Sequence, residues 1–434
     1  MNTTRRHFLT NSTLTTAAFL AAPPLPAADR KPTGKIAALI TEYRNTSHAD
    51  VIVGRLIKGL NLDLEPQAPP LKIGAMFVDQ TPGADLSRPL SKRFAIPIAK
   101  TVRDAILDAD GNLAVDGVVI IGEHGNYPRN ERGQHLYPRR RFFEETVAAF
   151  EEAGAVVPVF NDKHLAPLWS DAKWIYDKAV ELQIPFMAGS SLPVTWRRPW
   201  LEIPLGTPVD EALAVGFGGL ESYGFHALET LQCMVERRQG GASGVAAVQC
   251  LEGDAVWQAM ADGRFSRDLL AAALSRNSPP VDGDFESRCQ NPAAYLIEYT
   301  DGFRATCLML NGLAKQFLFA AKLTGDTGFA STQFWLQEPV YGHFSYLTNA
   351  IAQFIQSGHA PYPVERTLLT TGILATAMAS RFPRRPRRLL PRFARRSSSP
   401  RASLSLGQPP RPPRPPTSGR TRASTPRTPC WRVA

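Results

Sequence analysis

Residues 35–60 read KIAALITEYRNTSHADVIVGRLIKGL, and no other stretch limits the fold so tightly. A short apolar run gives way to a polar turn and then to an amphipathic helix, the opening of a parallel α/β sheet. Such sheets bind ligands at the carboxyl ends of their strands. A dinucleotide site normally places glycines in that first turn, so that backbone can approach a pyrophosphate with no Cβ in the way. None occurs from Thr41 to Val53. A helix N-terminus still offers free N–H groups to an anion. Arg44 adds charge there, and Asn45, Thr46 and Ser47 add polar side chains. The same residues also suit an ordinary helix cap.

The alternation continues to about residue 200. Strands are expected at Ile36–Ile40, Ile73–Val78, Gly117–Ile121, Val156–Phe160 and Pro185–Ala188, with helices such as Arg141–Ala153 and Ser170–Leu182 between them. From about Leu201 to His359 the texture changes. NPAAYLIEYTDGFRATCLMLNG is two alternating strands around Asp301-Gly302, and KQFLFAAKLTGDTGFASTQFWL repeats the arrangement. The fold class is therefore α/β: an N-terminal Rossmann-type parallel sheet plus a C-terminal α+β domain with a mainly antiparallel open sheet. The expected divisions are 1–28, 29–200, 201–360, a closing helix over 361–381 entered at Pro363, and 382–434.

The first and last segments are not fold. Arg5-Arg6, an apolar run from Leu14 to Ala22 and the small residues Pro26-Ala27-Ala28 follow one another as in a twin-arginine signal peptide. That address implies the twin-arginine export machinery and a periplasmic location, and the run is too short for a stable membrane span. The tail holds fourteen Arg and twelve Pro with no Lys, Asp or Glu. Its +14 against the chain's +10 leaves −4 on the body, so nucleic acid is not an expected partner. The tail is either a disordered basic segment or a gene read out of frame, and its abrupt start at a helix end favours the second. An intact frame on resequencing would exclude it. The five cysteines show neither metal spacing nor C-x-x-C pairs, and no disulfide is expected.

Chemistry-bearing residues gather at the expected strand ends. Asp79 stands where a dinucleotide fold keeps an acid for the ribose hydroxyls, which favours NAD over NADP; a turn-forming Asp would look the same. Gly122, Glu123, His124 and Asn126 follow the third strand, where Glu123-His124 alone makes a poor metal chelate and no metal is expected. Asp162, Lys163 and His164 follow the fourth. A lysine there polarises a substrate oxygen during hydride transfer, or is simply a solvated surface lysine. In GFGGLESYGFHALETL, His226 and Glu229 share a helical face beside Tyr223. His226 suits acid–base work or a structural bond. Trp196, Arg197 and Arg198 suit either a cofactor or surface packing.

In order and spacing these pieces resemble the Gfo/Idh/MocA oxidoreductases from Lys35 to Arg381. NDKHLA is similar to the family's E-K-P-L-A, so that Lys163 matches the catalytic lysine, Asp162 its acidic neighbour and His164 its proline. GGLESYGFHALETL is similar to G-G-x-L-x-D-x-G-x-H-x-x-D, matching His226 and Glu229, with Ser222 in place of an aspartate. The resemblance implies a nicotinamide cofactor, NAD or NADP, held by Arg44, Asn45, Thr46, Ser47, Asp79, Gly122, Glu123, His124, Asn126 and Lys163. It implies Lys163, His226 and Asp162 as catalytic residues. A sugar or polyol would lie against Tyr223, His226 and Glu229, on the open face of the second sheet. Homo-oligomers pairing through that face are implied too. Two rival expectations are a non-catalytic sugar-binding protein and a metal-assisted lyase or isomerase built on His124, His164, His226 and Glu229.

Overall fold

In the computed structural model, residues 25–26, 34–241, 243–337 and 341–382 are described. The export segment, apart from Leu25 and Pro26, and the tail after Phe382 lie outside them. Strand β1 (Lys35–Glu42) leads to helix α1 (His48–Lys58), then β2 (Lys72–Gln80) and β3 (Gly117–Ile121). Helix α2 (Arg139–Ala153), β4 (Val159–Asp162), α3 (Trp169–Glu181) and β5 (Phe186–Gly189) complete the first unit. A short strand, Ile98–Ala99, pairs with β2, and the order across the parallel sheet is Ile98–Ala99, β2, β1, β3, β4, β5. β1 is buried on both faces from Ile36 to Thr41, as a central parallel strand covered by helices must be.

Two expected strands start late for one reason. Pro158 and Pro185 have no N–H for the ladder. Each gives only its carbonyl, to Val118 and Val159 respectively, and regular pairing begins one residue later.

The second sheet comprises β6 (Val209–Gly216), β7 (Val245–Glu252), β8 (Pro292–Tyr299), β9 (Arg304–Leu310), β10 (Phe317–Leu323) and β11 (Ala330–Phe334). Its order is β7, β8, β9, β6, β10, β11, then the short strand Arg197–Arg198; only β6 and β9 run parallel. Helix α4 (Ser222–Val235) packs on one face. The other face is not open. Helices Asp254–Ala261 and Arg267–Leu274 lay Val256, Leu269, Leu270 and Leu274 against Leu213, Val215, Leu308 and Leu318. This corrects the expectation of a free face for substrate or sheet-to-sheet pairing: the chain covers that apolar surface itself.

The segment expected as 201–360 packs in two places. Helix α5 (Phe344–Ser357) returns to the first domain, where Phe344, Leu347 and Ile351 join the core of β1 and α1. Arg55 fastens it, donating to Ser345 Oγ at 3.0 Å. The closing helix α6 (Glu365–Ser380) then bonds both parts: Thr367 donates to the Ala188 carbonyl at 2.8 Å and Thr370 to Glu229 at 2.7 Å. The Trp196–Arg198 loop packs rather than facing a cleft. Trp196 lies against Trp335 and Tyr346, and the Arg198 guanidinium sits 3.1 Å from the Trp335 ring centroid.

Candidate active site

Three loops leave the carboxyl ends of β1, β3 and β4, and each holds a non-glycine residue at positive φ: Thr46 (59°), His124 (70°) and Lys163 (65°). Side chains avoid this region unless the surroundings hold them there. In the first turn Thr46 makes the left-handed step that a glycine would otherwise make. Its N–H is held by Asp50 Oδ2 at 3.1 Å, while Ser47 caps α1 through the Asp50 N–H. Arg44, Asn45 and Thr46 are exposed at this edge.

Behind the loops runs a buried ionic chain. Lys163 is 3% exposed, and its Nζ donates to Glu123 Oε1 at 2.8 Å. Glu123 Oε2 accepts from Arg139 Nη2 at 2.8 Å, and Arg139, with no exposed surface, turns its Nη1 to His164 Nε2 at 3.0 Å. Burial alone would raise the Glu123 carboxyl, but Lys163 and Arg139 hold it well below the usual carboxylate range. Gly122 has a packing reason: a Cβ there would meet Arg139 Cγ at 2.5 Å. Sequence reading missed Arg139 because PRRRFF looks like a solvated charge run.

Histidines line the open side. His48 was also missed. Its Nδ1–H donates to Asp162 Oδ2 at 2.7 Å, and in the neutral ring this bond puts the lone pair on Nε2. His226 has the complementary arrangement. Ser190 Oγ accepts from Leu192 N at 3.1 Å and lies 2.6 Å from His226 Nδ1; when this hydroxyl donates to Nδ1, the His226 proton is on Nε2. Burial, with Lys163 nearby, holds the His226 imidazole well below its usual range and therefore neutral. The His48 and His226 rings stack with centroids 6.1 Å apart; His124 is 5.8 Å from His48. Arg44 Nη2 donates to His124 Nδ1 at 3.0 Å, and burial pushes this imidazole down to about 4. Its Nε2–H is buried without a partner, as is Asp162 Oδ1.

Other expected residues are placed differently. Asp79 has both oxygens taken, by Tyr127 Oη and Arg141 Nη2, each at 2.6 Å. Asn126 exchanges hydrogen bonds with Gln80 at 2.8 and 3.1 Å, so the loop after β3 straps across to the end of β2. Tyr223 is 40% exposed, stacked near Phe317 and 6.0 Å from His226. Glu229 does not reach the cleft surface. It is fully buried between Thr370 and the Ser190 backbone. Among the described residues no group of His, Cys, Asp and Glu is arranged to hold a metal ion. Cys233, Cys250, Cys289 and Cys307 are buried free thiols.

Burial raises the Glu229 carboxyl from 4.5 to about 7. A carboxyl with a raised folded value stabilises the fold fully below its unfolded pKa, and that contribution is lost as pH rises through the folded one. Stability from Glu229 should therefore fall between about pH 4.5 and 7. His124, whose value is lowered, tilts the same window the other way. Urea unfolding across that range should show a shallower fall, or a steeper rise, for Glu229→Gln than for the parent. Parallel pH profiles would contradict the assignment.

No family model and no curated protein matches the chain. Among solved structures it is similar to apo scyllo-inositol dehydrogenase from Lactobacillus casei, with 9% identity over 80% of this chain and 95% of that one, and a TM-score of 0.50. It is also similar to myo-inositol 2-dehydrogenase from Lactobacillus plantarum (12%, 81% and 97%, TM-score 0.47). A third is aldose-aldose oxidoreductase from Caulobacter crescentus (14%, 80% and 98%, TM-score 0.45). At these identities the likeness is one of fold.

Proposed function

We propose that this chain, whose two domains have the fold of the Gfo/Idh/MocA oxidoreductases, oxidises or reduces a sugar- or polyol-like substrate with a nicotinamide cofactor. The observation that carries this reading is the set of unpaired groups at the strand ends. His124 Nε2–H is an orphan donor and Asp162 Oδ1 an orphan acceptor, both buried. A nicotinamide carboxamide brings one C=O and one NH2, the complement of that pair. Arg44, Asn45 and Thr46, exposed at this edge, would hold its phosphates, whereas Ser47 is fully buried as the cap of α1. Arg141 cancels the preference for NAD that Asp79 alone would impose.

A nicotinamide bound there supplies the hydride acceptor or donor. The chain's own residues do the rest. Lys163, kept in place by Glu123, donates to the substrate oxygen at the reacting carbon. His226 Nε2–H fixes the same hydroxyl, and His48 Nε2 takes its proton while Asp162 stabilises the imidazolium. In the oxidation of a CH–OH group, the hydroxyl proton would pass to His48, and the hydride would be the nicotinamide's share of the chemistry. Tyr223 offers an apolar face to a sugar ring.

Export through the Arg5-Arg6 leader places this chemistry in the periplasm and lets a cofactor be loaded into the folded chain first. A second reading, a sugar-binding protein without catalysis, is favoured by the missing glycines and by the Asn126–Gln80 strap over the end of β2. The nucleotide released from the denatured protein separates the two, as set out at the end of the Discussion.

A further inference from the structure

A cavity of about 230 Å³ lies outside the cleft, walled by Arg129, His135, Tyr137, Glu221, Ser222 and Arg381 among others. None of Lys163, His48, His226 or Asp79 lines it. It is smaller than drug-sized pockets of about 300–1,000 Å³, and suits a small polyol or one pyranose ring.

Its wall carries an unmet demand. Glu221 is 7% exposed, and its Oε1 lies 3.2 Å from His164 Nε2, the same nitrogen that receives Arg139 Nη1. One ring nitrogen cannot accept from a guanidinium and donate to a carboxylate at once. Burial and Arg139 hold the His164 imidazole down, so it stays neutral with its lone pair toward Arg139. Glu221 Oε1 is then a buried acceptor without a hydrogen, and His164 Nδ1 is buried without a partner as well. Glu221 is one of the residues that wall the cavity, so a donor seated there meets its carboxylate.

We propose that this cavity is a second saccharide site, in which a sugar hydroxyl donates to Glu221 while the ring lies against His135 and Tyr137. Those two rings are 4.7 Å apart at a 46° tilt, forming an aromatic wall. Arg129, Arg381 and Ser222 supply donors around a polyhydroxylated ring. The site is wired to the cleft. From Glu221 the contacts run through His164, Arg139 and Glu123 to Lys163 without a gap longer than 3.2 Å. Occupancy settles the competition at His164 and is felt at the lysine. The site does not depend on the nicotinamide reading, since none of its residues was assigned to a cofactor.

The test uses the full-length protein carrying ring-labelled histidine, titrated with D-glucose and with myo-inositol. The His164 signal is identified by its loss in His164→Gln. A saturable shift of that signal with either sugar is expected. It should persist in Tyr223→Ala, which alters the cleft, and weaken by about tenfold or more in Ser222→Tyr, which fills the cavity. Arg129→Ala, at an exposed position, should weaken it in the same direction. A His164 signal that neither sugar moves would overturn the proposal. So would a shift abolished by Tyr223→Ala and kept by Ser222→Tyr. The nucleotide content of the same samples reports separately on the cofactor.

Discussion

Lys163→Met should reduce turnover of whichever polyol or aldose the parent enzyme accepts by about 10²- to 10⁴-fold, the usual worth of a positioned proton or charge donor. The substitution keeps the length of the side chain and removes its charge. Because Lys163 is buried on Glu123, its loss leaves that carboxylate with Arg139 as its remaining charge partner. The fall should therefore appear in kcat/KM with nucleotide content unchanged, since His124 and Asp162, the residues proposed to meet the carboxamide, are untouched. Equal turnover in the variant and the parent would remove Lys163 from the chemistry.

Arg139→Met should cost about 3–5 kcal/mol of stability, the range for removing one partner of a buried charge cluster. The guanidinium has no exposed surface, and it holds Glu123 and His164 apart from each other. Its loss leaves a buried carboxylate on Lys163 alone and the His164 ring without a donor. Urea denaturation of the full-length variant measures the change directly. A midpoint within experimental scatter of the parent would mean that water replaces the guanidinium and the ionic chain is dispensable.

Much of the scaffold was legible because it obeys local rules. The central strands are continuous apolar runs, the hairpin turn at Asp301-Gly302 is where a type-specific turn should be, and Gly117–Ile121 was placed to the residue. The strand-end location of Asp162, Lys163 and His124 followed from alternation alone. What was not legible depends on distance along the chain. His48 meets Asp162 across 114 residues, and no spacing rule connects them. Arg139 is buried because Gly122 leaves room for it, a fact of packing and not of composition. The return of α5 to the first domain was hidden for the same reason: its amphipathic pattern says that a face is buried, not against what. The cover over the second sheet came from residues 254–274, whose short helices carry too few turns to announce their partner.

The most direct test of the account is to express the full chain with its own leader, recover it from the periplasmic fraction, denature it and weigh the nucleotide that it releases. Recovery there, with NAD or NADP near one per chain, is the predicted result. It would show that a turn without glycines holds a nicotinamide dinucleotide through Arg44, Thr46 and its neighbours. Protein retained in the cytoplasm would contradict the export reading. Protein that carries no nucleotide, and takes up neither NAD nor NADP when they are added, would contradict the oxidoreductase itself and leave a fold that binds sugars without turning them over.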